Sequence, residues 1–158
     1  MTPFRREFSV VGTVADLPRI SEFVEEACAL AKVESKARFS VLMAVDEACS
    51  NVFEHAYRGR EGALKLSFET RGRDLVVTVR DQGQAFKPEQ VPVPNLNLPL
   101  EERPIGGLGL HLMSKLMDRV FFVFSPDDGN ILVMEKHGVV PRCGASDSPE
   151  SRPTGFAG

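Results

Sequence analysis

Residues 46–57 read Asp46-Glu47-Ala48-Cys49-Ser50-Asn51-Val52-Phe53-Glu54-His55-Ala56-Tyr57, and how this stretch is wound decides what the chain can be. Glu47, Asn51 and His55 recur at i, i+4 and i+8, which on a helix makes one polar lane. Beside that lane Phe39, Leu42, Val45, Cys49, Val52 and Ala56 recur at helical spacing. A helix from about Lys36 to Tyr57, with Ser35 as its N-cap, satisfies both patterns. A carboxylate and a carboxamide in such a lane suit Mg²⁺, a hard cation that takes its remaining oxygens from phosphates and waters. Taken alone, the lane also fits a solvated helix face.

Upstream, Glu7 to Val11 reads as a short strand ended by Gly12. Asp16 is positioned as an N-cap with Pro18 in the first turn, where its missing N–H costs little. Leu17, Ile20, Phe23, Val24, Ala27, Cys28 and Ala31 then predict an amphipathic helix to about Lys32. Downstream, Ala63 to Thr70 and Asp74 to Asp81 alternate as strands around a turn at Arg71-Gly72-Arg73. From Gln82 to Pro104 there is no period, and Pro88, Pro92, Pro94, Pro99 and Pro104 interrupt the chain. Loops of that length inside a domain are usually functional or disordered. Gly106-Gly107-Leu108-Gly109 opens a third helix, about Leu108 to Met117, and Val120 to Phe124 and Ile131 to Lys136 are two further strands around Pro126-Asp127-Asp128-Gly129. One domain over 1–138 is expected, with a flexible tail over 139–158.

Composition narrows the function classes. The 158 residues are enough for one domain with a core that needs no disulfides. A net charge of −3 argues against nonspecific nucleic-acid binding. No run approaches the ~18 apolar residues of a membrane span, and the N-terminus has no apolar signal-peptide region. The three cysteines, Cys28, Cys49 and Cys143, make no disulfide framework, and a cytoplasmic location follows as the simplest expectation.

Two further clusters carry chemistry. Asp81-Gln82-Gly83-Gln84-Ala85-Phe86 follows a strand directly. A carboxylate there can accept a hydrogen bond from an exocyclic amine such as that of adenine, and Gly83 lets the backbone pass close to a ring; the same residues also suit a plain turn. Gly106-Gly107-Leu108-Gly109-Leu110 begins a helix, where exposed N–H groups suit phosphate oxygens. It is neither GxGxxG nor GxxxxGK[ST], so no dinucleotide fingerprint or Walker A loop is present. By itself this run is equally a hinge.

In combination the clusters resemble the GHKL, or Bergerat-fold, ATPases. Residues 47–57 are similar to the N box of that superfamily, Asp81 to Phe86 to its first glycine box, and Gly107-Leu108-Gly109-Leu110 to its second. The resemblance covers about residues 7–137. Within the superfamily the chain looks most like the small anti-sigma factor serine/threonine kinases of the RsbW and SpoIIAB type, whose N box reads E-A-x-x-N followed by H-A-Y or H-G-Y. The Leu116-Met117-Asp118 that ends the third helix fits the same pattern.

The resemblance implies an α/β (α+β) two-layer sandwich, with a mixed, mostly antiparallel sheet and three main helices on one face. It implies ATP and Mg²⁺ as cofactors, with Asn51 on the metal and Glu47 as general base toward a substrate serine. Asp81 would take the adenine amino group, and Gly83 would give the ring room. Gly107 and Gly109 would offer backbone N–H groups to the phosphates. Phe86, Leu108, Leu110 and Asn130 are implied as further nucleotide-site residues, and Arg103 as a γ-phosphate contact in a lid over about 84–105. The partners implied are a sigma factor and a STAS-type anti-anti-sigma protein, with a homodimer as the assembly. An ATP-gated binding switch and a simple ATPase stand as the alternatives. The chain departs from the pattern in its proline-rich lid, its added tail, and Asp46 beside Glu47, a like charge that either raises the Glu47 pKa or faces solvent.

Overall fold

The computed structural model describes residues 4–84 and 107–141. Strand β1 (Arg5–Gly12) leads through a single 3₁₀ turn to α1 (Leu17–Leu30) and α2 (Ser35–Asn51). A π-turn (Val52–Ala56) continues α2, followed by β2 (Gly62–Arg71) and β3 (Asp74–Asp81). Helix α3 (Gly107–Leu116) and the hairpin β4 (Arg119–Ser125) and β5 (Gly129–Lys136) complete the described chain. No described helix is long and apolar enough to cross a membrane.

The strands form one sheet in the order β1-β2-β3-β5-β4. All four pairings are antiparallel, so the parallel component of the expected mixed sheet is not found among the described residues. The alternation that announced the strands is the alternation of burial. Gly62, Leu64, Leu66, Phe68 and Thr70 of β2 face inward, while Ala63 and Lys65 between them face solvent. The helices cover that inward face, with α2 packed between α1 and α3.

The expected stripe on α2 holds at Val45, Cys49 and Val52, which are buried, and at Leu42 and Ala56, which pack partly buried against the core; it fails at Phe39. Phe39 is 65% exposed, and the helix buries Ala37, Val41, Ala44 and Ala48 in addition to Val45 and Cys49. The alanines at 37, 44 and 48 let the helix lie close to its neighbours, while the large Phe39 is turned outward. Ser35 is the first helical residue and Glu34 is the N-cap; Glu34 makes no side-chain cap, and its N–H donates to Val139 O (3.0 Å). Asp16 does precede α1, but its carboxylate reaches back to accept from Thr13 N (3.0 Å).

The first residues assigned to the expected tail belong to the core. Val139 and Val140 are each 7% exposed within the core, and their N–H groups both donate to Arg73 O at 3.0 Å. The Arg73 guanidinium donates back to Val140 O (3.2 Å). Two valines among polar neighbours give no periodic signal, yet they close the end of the β2–β3 hairpin. Residues 142–158 lie outside the described part.

Candidate functional site

Helix α2 sets Glu47 and Asn51 one turn apart, both half-buried. Burial pushes the Glu47 carboxyl above its ordinary value, and the charges of Asp46 and then Glu54 push it further in the same direction. His55 opposes them weakly. The like charge of Asp46 therefore does act on Glu47, and it does so from an exposed position. A carboxylate poised upward in this way is a better proton acceptor than an ordinary glutamate.

The polar lane ends at Asn51. Eighteen residues separate Ala37 from His55, about five α-turns, so an unbroken helix would lay His55 over the buried Ala37. The π-turn prevents that. Tyr57 N donates to Val52 O (3.0 Å), five residues back, and the changed register turns Phe53 fully inward and leaves His55 exposed. Single π-turns inside helices occur often at functional sites.

Asp81 ends β3 and is 6% exposed. Its Oδ1 accepts from Gly83 N (2.9 Å) and from Asn130 Nδ2 (2.9 Å), while its Oδ2 takes no donor from the described residues. Burial raises the Asp81 pKa, and the bonds from Asn130 and Gly83 work against that rise. Asn130 is directly opposite in β5 and also donates to Gln84 O (2.9 Å). Gly129 precedes it with φ +78°, and a Cβ there would stand 2.3 Å from Asp81 O. The result is a buried carboxylate held in place through one oxygen and available to a ligand amine through the other.

Gly83 has a structural reason that sequence did not give. A Cβ at this position would lie 2.6 Å from Ala56 O, so the missing side chain lets the segment after β3 dock on the π-turn. Gln84 N donates to Ala56 O (2.9 Å), and the Arg58 guanidinium donates to Gln84 Oε1 (3.1 and 2.8 Å). The Tyr57 hydroxyl accepts from Gln82 N (2.8 Å) and donates to Ala63 O. Tyr57, Arg58 and Gln84 were not picked out by sequence reasoning as site residues. Tyr57 had a signal in the His55-Ala56-Tyr57 match, whereas contacts of Arg58 and Gln84 depend on tertiary folding.

Gly107, Leu108, Gly109 and Leu110 form the first turn of α3, so a helix does begin where the glycines predict. The first N–H groups of such a turn have no acceptor within the helix. Phe86 and Arg103 lie outside the described residues, as does most of the expected lid. Among the described residues no three His, Cys, Asp or Glu side chains are grouped to hold a metal ion. A Mg²⁺ ion would thus depend on Asn51 together with oxygens brought by a nucleotide, which agrees with how this ion is commonly held.

A family model described as the histidine kinase-like ATPase domain matches residues 10–136. Curated relatives include the serine-protein kinase RsbW of Halalkalibacterium halodurans, 38% identical over 101 residues, spanning 61% of this chain and 60% of that protein. The serine-protein kinase RsbW of Bacillus mycoides is 32% identical over 99 residues, spanning 60% of this chain and 61% of its own length. The chain therefore spans about three fifths of the length of these relatives. Among solved structures, the RsbU and RsbW domains of a Mycobacterium tuberculosis protein share the fold, with a TM-score of 0.55 and 12% identity over 87% of this chain and 34% of that one.

Proposed function

The chain belongs to the histidine kinase-like ATPase domain family, and from that premise we propose that it is an ATP-dependent protein serine/threonine kinase of the anti-sigma-factor type. In this reading it phosphorylates a serine of a STAS-type anti-anti-sigma protein and sequesters a sigma factor, as a cytoplasmic homodimer. The names of its RsbW relatives support the kinase assignment. The observation that carries the nucleotide site is Asp81, with Oδ1 fixed by Gly83 and Asn130 and Oδ2 left for the amine of adenine.

Each remaining residue has a role in the same reading. Asn51 together with the nucleotide phosphates would hold Mg²⁺, which would supply neutralisation of phosphate charge. Glu47 takes the proton of the acceptor serine hydroxyl, and its raised pKa favours that transfer. Gly107 and Gly109 direct backbone N–H groups at the phosphates, with Leu108 and Leu110 completing the turn. Phe86 borders the base and Arg103 neutralises the γ-phosphate, while Gly83 lets the segment after Asp81 seat on the π-turn. Phosphoryl transfer requires mainly positioning and charge neutralisation, so this small set of groups suffices.

A second reading, an ATP-gated switch with little turnover, draws on Gln84, which donates to Ala56 O and accepts from the Arg58 guanidinium and so ties the residues after Asp81 to the end of the site helix. Transfer of labelled γ-phosphate from Mg-ATP to a purified STAS-domain protein from the same genome tests the proposal. The parent should label the acceptor, and Glu47→Gln should lose about 100-fold or more of that rate while still binding ATP. ATP binding without transfer in the parent would favour the switch. Phosphate release without an acceptor would favour a simple ATPase.

A further inference from the structure

We propose that Tyr57 is a positioning residue of the nucleotide site, whose hydroxyl forms the last rung between β2 and β3 and thereby sets the direction of Asp81. This rests on the reading of Asp81 as the group that recognises the base. The β2–β3 register ends with Leu64 opposite Asp81, and the next pair in sequence would be Ala63 and Gln82. Those two residues are not paired in the ladder, which stops one residue short of them. The Tyr57 hydroxyl bridges them, accepting from Gln82 N (2.8 Å) and donating to Ala63 O. Asp81 is thus held by the ladder on one side and by Tyr57, through Gln82, on the other.

The ring itself is constrained. A Cβ on Gly62 would stand 2.4 Å from three of its carbons, so the ring lies flat on the backbone at the start of β2. On the far side the π-turn, which carries Tyr57 at its end, receives Gln84 N and the bare face of Gly83. Removing the hydroxyl frees Gln82 N and Ala63 O together, next to the carboxylate. Both are near enough to solvent for water to take over the bonds, so the loss falls on aim more than on folding. A carboxylate that is no longer aimed loses its bond to an exocyclic amine while contacts to the rest of a nucleotide persist.

The test compares ATP with inosine triphosphate, which has an oxygen where adenine has its amine, by calorimetric titration with Mg²⁺ present. In the parent the ratio of the two affinities measures the amine bond. Tyr57→Phe should weaken ATP about 10-fold and inosine triphosphate little, so the ratio shrinks by about the same factor. Gly62→Ala, which displaces the ring while keeping the hydroxyl, should act in the same direction and guards against an effect peculiar to one variant. Equal weakening of both nucleotides, or an unchanged ratio, would overturn the positioning role. If the parent shows no preference for ATP, or Asp81→Asn leaves that preference intact, the reading of Asp81 itself fails. That result differs from one in which Asp81 matters and Tyr57 does not.

Discussion

Asp81→Asn separates recognition from stability at a single atom. The substitution is close to isosteric, and its amide oxygen can still accept from Gly83 N and Asn130 Nδ2 at the 2.9 Å positions held by Oδ1. What changes is Oδ2, which turns from an acceptor into an N–H₂ donor facing the donor amine of adenine. A hydrogen bond to a charged group contributes about 1.5–3 kcal/mol. At about 1.4 kcal/mol per factor of ten, ATP affinity should fall about 10- to 150-fold. Inosine triphosphate, with an acceptor at that position, should not weaken.

Stability should move the other way. Burial raises the Asp81 pKa, so the folded state favours the protonated acid. The stability this gives is complete below the ordinary value of 3.8 and is lost as pH rises through the raised value. Near neutral pH the buried carboxylate is ionised at a cost that the amide does not carry. Nucleotide-free Asp81→Asn should therefore melt no lower than the parent near neutral pH, and its advantage should shrink toward acid. Melting curves across pH and calorimetric titrations read both effects. A variant that melts earlier than the parent near neutral pH and binds ATP as tightly would refute the reasoning.

Two further outcomes follow from the geometry. Asp46→Asn removes a charge that raises the Glu47 pKa, so the acid limb of the pH–rate profile for phosphate transfer should move to lower pH, with the maximum rate largely kept. Joint replacement of Val139→Ala and Val140→Ala, two valines each 7% exposed, should cost about 2–3 kcal/mol by urea unfolding. A loss near zero would mean that the chain beyond Gly138 contributes nothing to the core.

The strands were legible because one face of the sheet is wet. Alternation over 63–70 and 131–136 reports burial directly, and β3 spans the residues that the pattern predicts although Val76 is buried along with Leu75 and Val77. Helix α2 was legible as a helix, and its stripe was right at Val45, Cys49 and Val52 and wrong at Phe39. Half of its buried residues are alanine, which carries little periodic signal, so Ala37, Ala44 and Ala48 were missed while the exposed Phe39 was counted in. The π-turn leaves no trace in composition, since it is a change of hydrogen-bond register after Asn51, and with it went the place of His55. Asp81 and Asn130 could be named from motif and resemblance, whereas their mutual bond follows from a strand pairing 49 residues apart in sequence. Gly83 was legible as a required glycine, but what it avoids, Ala56 O, is a contact only the folded chain makes.

The hydroxyl rung at Tyr57 also gives the protein an optical probe. The chain has a single tyrosine and no tryptophan, so tyrosine fluorescence excited beyond the phenylalanine band comes from this one ring. The emission therefore originates at the junction of the π-turn, β2 and the residue after Asp81. Occupation of the neighbouring pocket, or a loosening of that junction on warming, can be followed in the unlabelled native chain.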